Sequence, residues 1–210
     1  MSTAILIRPG ETDFDQQARI QGGLDLPLTE NGRRQVRELI VRLADMSIDI
    51  VYASPTEPAL STAREIAASL DVSLKELEGL ENLSHGLWEG MLLDDVKRKH
   101  PRVYKQWRDA PAAVCPPEGE TCSEAHERVR KVLKKPLRKR QTFAIVAPEP
   151  VATLIASVLR GQDPCLPGPV CGCSEQQRIE VIDAVIPVNG RLWPLLGGAD
   201  TTQAERAATT

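Results

Sequence analysis

Short apolar runs alternate along this chain with longer stretches in which apolar residues recur every three or four positions. Residues 3–8, TAILIR, stop at Pro9-Gly10, the pattern of a buried strand that delivers its end into a loop. From Thr29 the period lengthens: Val36, Leu39, Ile40 and Leu43 share one face, while Arg33, Arg34, Arg37, Glu38 and Arg42 take the others, which predicts an amphipathic helix. A second apolar run, IDIVYASP (48–55), ends in a Ser-Pro turn. A second helix follows over 58–70, with Pro58 near its start and Ala59, Ala63, Ile66 and Leu70 inward.

The pattern continues with a strand predicted over 72–80 and a polar helical excursion over 91–110 that carries Tyr104 and Trp107. Pro116 and Pro117 open a loop. Thr121 and Glu124 then make a capping-box pair for a helix with Ala125, Val129, Val132 and Leu133 on one side. TFAIVAP (142–148) repeats the opening design, a strand running into a proline turn, and an apolar helix is predicted from Val151 to Leu159. A Gly/Pro-rich loop (161–173) and a late strand (177–185) complete the order. These elements predict one domain over 1–197, with helices diverging from the strand–helix alternation over about 91–140, and a disordered polar tail over 198–210.

Alternating strands and helices define an α/β class: a mostly parallel sheet covered on both faces, with ligands at the carboxyl ends of the strands. Both proline turns fall at those ends. Composition narrows the functional classes. The 26 Lys+Arg against 29 Asp+Glu leave no basic face for nucleic acid, and 3% aromatic content leaves few platforms for stacking bases. No apolar run approaches the roughly 18 residues of a membrane span and no leader pattern opens the chain, so a cytoplasmic location is expected. Cys115, Cys122, Cys165, Cys171 and Cys173 are an odd set without compact spacing, expected to be free thiols. Cys171 and Cys173, with Cys165, offer a metal only an incomplete ligand set with no nearby histidine, so the loop reading is preferred and no metal or cofactor is expected.

Five segments, LIRPGETDFDQQARIQGGLDLPLTENGRRQ, VYASPTEPALSTAREIA, HGLWEGM, PPEGET and IVAPEPVATLIA, agree in order and spacing with one family. On them the chain resembles the histidine phosphatase superfamily, from residue 3 to about 185. The resemblance implies a three-layer α/β/α sandwich of the phosphoglycerate mutase-like type. It also implies a mechanism in which a histidine after the first arginine accepts a phosphoryl group. Two arginines and a second histidine would hold the phosphoryl oxygens, and a carboxylic acid would protonate the leaving group.

Carried over residue by residue, Arg8 matches the first arginine and Gly10 the loop glycine, but Pro9 stands at the nucleophile, Pro58 at the second arginine and Pro148 at the second histidine. Asn82 falls at the acid, with Glu81 adjacent. Glu149 follows Pro148, where a carboxylate would repel a phosphate dianion. Losing such a nucleophile costs on the order of a millionfold in turnover. The resemblance therefore implies a pseudoenzyme with a vestigial phosphate pocket at Arg8, Gly10, Glu81 and Glu149. Such a protein would serve as a binding, regulatory or scaffold module for a protein partner or a small ligand in the altered cleft, with homo-oligomerisation open.

The alternative is an active phosphatase or phosphomutase that has recruited Glu81, His85, Glu89 or Glu149 for acid–base work. For single residues a bland reading stands beside the functional one. Arg8 could pair with Glu11, Asp13 or Asp15, His85 could be a structural histidine, and His100 and His126 solvated ones. The Glu11, Asp13 and Asp15 trio reads as a solvated face rather than a cation site, and Trp88, Trp107 and Tyr104 as core or as the rim of a pocket.

Overall fold

The run that begins the chain becomes the strand β1 (Ser2–Ile7), whose Ala4 and Leu6 face one side and Ile5 and Ile7 the other, all buried. A strand with both faces buried needs cover on both sides, and the computed structural model, which describes residues 2–139, 141–169 and 178–184, supplies it. After a short helix, α1 (Asp13–Gln16), come α2 (Glu30–Leu43), β2 (Ile50–Ala53), α3 (Ala59–Leu70) and β3 (Ser73–Glu76). Then follow α4 (Leu93–Lys99), α5 (Pro101–Asp109), α6 (Cys122–Arg138), β4 (Phe143–Val146), α7 (Val151–Arg160) and β5 (Ile179–Ala184).

The sheet runs β3-β2-β4-β1-β5. Its first four strands are parallel and β5 closes the edge antiparallel to β1. Helices α2 and α3 cover one face, where Leu39, Leu43, Ala63 and Ile66 meet Ile5, Ile7, Val51 and Val146. Helices α6 and α7 cover the other, where Val129, Leu133, Ile155 and Leu159 meet Leu6, Tyr52, Phe143 and Ile145. This is the three-layer α/β/α sandwich.

Register decides where chemistry can happen. Ile7 of β1 and Ala53 of β2 both lie beside Val146 of β4. The loops that leave these three parallel strands therefore emerge side by side.

The helix boundaries have local causes. Thr29 accepts a hydrogen bond from Gly32 N at the start of α2, and Thr121 with Glu124 forms the expected capping box for α6. The stretch predicted as one helical excursion over 91–110 is two helices, because Pro101 has no N–H to continue α4 and instead occupies the first turn of α5. Within 91–140, α4 and α5 pack on a separate cluster with Ile20, Trp88 and Trp107, whereas α6 belongs to the main layer. The strand predicted over 72–80 is only four residues long: it is an edge strand, and Gly79, at φ 93°, turns the chain away. Cys171, Cys173, part of the loop 161–173 and the tail 198–210 lie outside the described residues.

Candidate active site

At the shared strand ends lies a cavity of about 390 Å³, and Pro9, Pro58 and Pro148 all line it. The loop after β1 is held tightly. Gly10 N donates to Thr62 Oγ1 (3.3 Å) and Glu11 N to Gln35 Oε1 (2.9 Å). Gly10 has no room for a side chain, since a Cβ there would stand 2.5 Å from the carbonyl oxygen of Gly32. The loop thus rests backbone against backbone on the first turn of α2.

Arg8 leaves the end of β1 and reaches across the sheet. Its Nε donates to Glu149 Oε1 (2.5 Å) and its Nη1 to Glu180 Oε2 (3.4 Å), while Glu180 also pairs with Arg160. The partners expected from local sequence were Glu11, Asp13 or Asp15; the structure corrects this. Glu11 is taken by Gln16, Thr29 and Asn31, and Asp15 by the amide and hydroxyl of Thr12, so the nearest carboxylates in sequence already serve the loop's own donors. Burial raises the Glu11 pKa, but those three hydrogen bonds and the Arg178 charge outweigh it, and the net direction is downward.

Two further arginines line the cavity. Arg19 donates to Gly90 O (2.6 Å) and Gln17 Oε1 (2.8 Å), and the buried Arg178 donates from Nη1 to the carbonyl oxygen of Pro9. Sequence reading passed over both. Arg19 lies inside the first family-like segment without any spacing that marks it. Arg178 reaches the site only because β5 pairs antiparallel with β1, which hydropathy does not reveal.

The four residues considered for recruitment separate clearly. Glu81 lies outside the cavity, with its carboxylate accepting from Gly79 N (2.7 Å) beside Arg128. Glu89 is a clip: its Oε1 accepts from Gly23 N, Ser84 Oγ and His85 N at 3.0–3.2 Å, closing the turn around Gly86. Glu149 and His85 do line the cavity. Glu149 sits just before α7 and accepts from Thr153 as well as from Arg8.

His85 is 6% exposed, with its ring 5.7 Å from that of Trp107. Its Nδ1 lies 3.1 Å from Leu83 O, which fixes the proton on Nδ1 and leaves Nε2 as the basic nitrogen. Burial lowers the His85 pKa, and this outweighs the opposing Leu83 carbonyl and Glu89 charge, so the imidazole is neutral near pH 7. His100 is exposed and His126 half-buried, and neither lines the cavity.

Asn82 lies behind the cavity wall. Its Nδ2 donates to Gly22 O (2.9 Å) and its Oδ1 accepts from Val151 N (3.4 Å), joining the loop near α1 to the start of α7. Asn82→Leu leaves both backbone groups without a partner. It is expected to destabilise the fold by about 2–4 kcal/mol, read as a lower urea midpoint at unchanged slope.

The cavity lining also has apolar members. Trp107, Pro111, Val114 and Pro116 come from the segment around the end of α5, and Leu166 and Pro167 from the loop after α7. That loop rests on α5: a Cβ on Gly168 would stand 3.6 Å from Arg108 Cα. The described part of the Gly/Pro-rich loop therefore lines the cleft. Trp107 serves both as wall and as core, touching Trp88 and Tyr104, which do not line the cavity.

Residues 4–166 match the family model of the histidine phosphatase superfamily (branch 1), and the chain belongs to that family. It is 32% identical over 150 residues to phosphoserine phosphatase 1 of Hydrogenobacter thermophilus, covering 70% of this chain and 71% of that protein. Among solved structures, Bacillus stearothermophilus YhfR superposes with a TM-score of 0.72 over 90% of this chain and 97% of that one, at 23% identity. A mutant phosphoserine phosphatase of Entamoeba histolytica in complex with phosphoserine gives 0.66, over 78% and 82%, at 27% identity. The matched stretch is 71% of the Hydrogenobacter relative's length but only 35% of some other curated relatives'.

These relatives overturn the expectation of a pseudoenzyme. Proteins sharing this fold and a quarter to a third of the aligned residues are named as phosphatases, so the family is catalytic. That expectation took the replacement of four family positions, at Pro9, Pro58, Asn82 and Pro148, as the loss of all phosphoryl transfer. Pro9 excludes a phosphohistidine at position 9, but the cavity, the arginines around it and a neutral imidazole in its wall are all in place.

Proposed function

We propose that this protein is a phosphatase that hydrolyses phosphate monoesters in the strand-end cavity, with water as the direct phosphoryl acceptor. The observation that carries this is His85: a neutral imidazole, anchored through Nδ1, in the wall of a cavity that Arg8, Arg19 and Arg178 also line. The arginines attract and orient the phosphoryl oxygens, and His85 Nε2 takes a proton from the attacking water. Glu149 acts on Arg8 rather than on substrate: its carboxylate fixes the guanidinium at the end of β1.

Three carboxylates, Glu11, Asp15 and Glu149, share the cavity with the three arginines. An incoming dianion therefore competes for Arg8 with Glu149, and weak ground-state binding is expected. The relatives named as phosphoserine phosphatases support hydrolysis as the reaction class and make phosphoserine one substrate to try.

The test is release of inorganic phosphate by the purified protein from phenyl phosphate, phosphoserine and 3-phosphoglycerate, against a heat-denatured control. In water enriched in heavy oxygen, one label should enter each phosphate released, with no acid-labile phosphoprotein accumulating. Failure to release phosphate from any of the three above the control would overturn the proposal.

A further inference from the structure

We infer that the substrates of this site are aryl phosphates, monoesters of an apolar phenol that departs as phenolate. The reasoning rests on the hydrolytic reading above and deepens it with two independent observations. The first is the shape of the wall. Trp107, Pro111, Val114, Pro116, Leu166 and Pro167 line the cavity together with His85 and give it an apolar contribution against which an aromatic ring can pack. A charged amine or carboxylate of a serine or glycerate leaving group gains nothing from these apolar side chains and loses hydration wherever it lies against them.

The second observation is that no acid stands ready for the leaving group among the described residues. Asn82 and Glu81, the residues at or beside the family's acid position, both lie outside the cavity lining. Each carboxylate that does line it already accepts from donors: Glu11 from Gln16, Thr29 and Asn31, Asp15 from Thr12, and Glu149 from Arg8 and Thr153. None of the described residues there offers a proton to a departing oxygen. His85 takes the water's proton and cannot protonate the leaving group in the same transition state.

The step balances without an acid only for a stable anion. The water oxygen forms a bond to phosphorus, its proton passes to His85 Nε2, and the bond from phosphorus to the aryl oxygen breaks with its electron pair leaving on the phenolate. Hydrogen phosphate and phenolate are the products, and His85 returns its proton to solvent. An alkoxide from serine is far more basic and would leave slowly. General acid catalysis is worth about 10²–10⁴-fold, and that is the handicap an alkyl ester carries here.

The experiment has a kinetic and a binding arm. Across phenyl phosphates substituted to span a range of phenol acidity, kcat/KM should rise steeply as the phenol becomes more acidic, and phenyl phosphate should exceed phosphoserine by at least about 10²-fold. A flat dependence, or phosphoserine within about tenfold of phenyl phosphate, overturns the inference. In the binding arm, phenylphosphonate should bind at least about tenfold tighter than methylphosphonate by titration calorimetry, since only the former buries a ring against the apolar lining residues. Val114→Asn, a change at a partly exposed position, should erase that preference. Equal binding of the two phosphonates overturns the aryl inference whatever the turnover. Selective phenylphosphonate binding with no hydrolysis of any ester supports the aryl preference and overturns hydrolysis, so the two failures are distinguishable.

Discussion

Substitution of His85 by alanine is expected to lower kcat/KM for phenyl phosphate by about 10²–10⁴-fold, while phenylphosphonate still binds within a few-fold of wild type. The division follows from the role: a general base acts on the water in the transition state and contributes little to holding the bound ester. The pH profile gives an independent check. Burial places the His85 pKa below its ordinary value of 6.5, so the acid limb of kcat/KM should fall below that pH, not at it. Stability follows the same titration. Between 6.5 and the lower folded-state pKa the unfolded chain binds a proton that the folded chain refuses, so stability declines as pH falls through that window. His85→Gln removes this group from the balance. Its unfolding midpoint should therefore lose less between neutral and mildly acid pH than that of the wild type. A variant with wild-type turnover, or an acid limb that does not move, would exclude His85 as the base.

The layers of this fold were legible because burial writes itself into hydropathy. The two-sided runs at 3–8, 48–55 and 142–148 became the three central strands, and the three-and-four spacing from Thr29 became α2. What hydropathy could not carry was pairing between distant segments. Arg8 finds Glu149 and Glu180, each more than 100 residues away, because β1 lies between β4 and β5. Nothing local distinguishes that outcome from a pair with Glu11.

The site was half legible for a related reason. Motif matching located the loops and the prolines, which do line one cavity. It could not reveal that Glu81 lies beside Arg128, that Glu89 closes a turn, or that His85 and Glu149 are the two of the four candidates that line the cavity. Those are facts of side-chain direction, and motif order is silent on direction. The same limit led to the functional correction: the replaced positions at Pro9, Pro58, Asn82 and Pro148 were visible, and His85 was named as a candidate, but its place in the cavity lining was not.

Arg8→Met is expected to destabilise the protein by about 3 kcal/mol, a fall in the thermal midpoint of about 6–12 °C for a chain of this size. Arg8 and Glu149 are 11% and 15% exposed in their side chains, so removing the guanidinium leaves Glu149 in a largely dry position with only Thr153 to satisfy it. Glu180 suffers less, being 27% exposed and still paired with Arg160. The larger cost therefore falls on Glu149, and the double variant Arg8→Met, Glu149→Leu should recover more than half of the loss, because it removes the stranded charge along with its partner. Turnover should not recover with it, since the double variant restores an apolar contact and not a cation for the phosphoryl oxygens. Stability and activity thus separate: the pair's effect on the fold is a matter of compensation, and its effect on catalysis is a matter of charge. A loss below about 0.5 kcal/mol in Arg8→Met would show that the pair is solvated like a surface salt bridge. It would equally mean that Glu149 does not hold Arg8 in place for substrate.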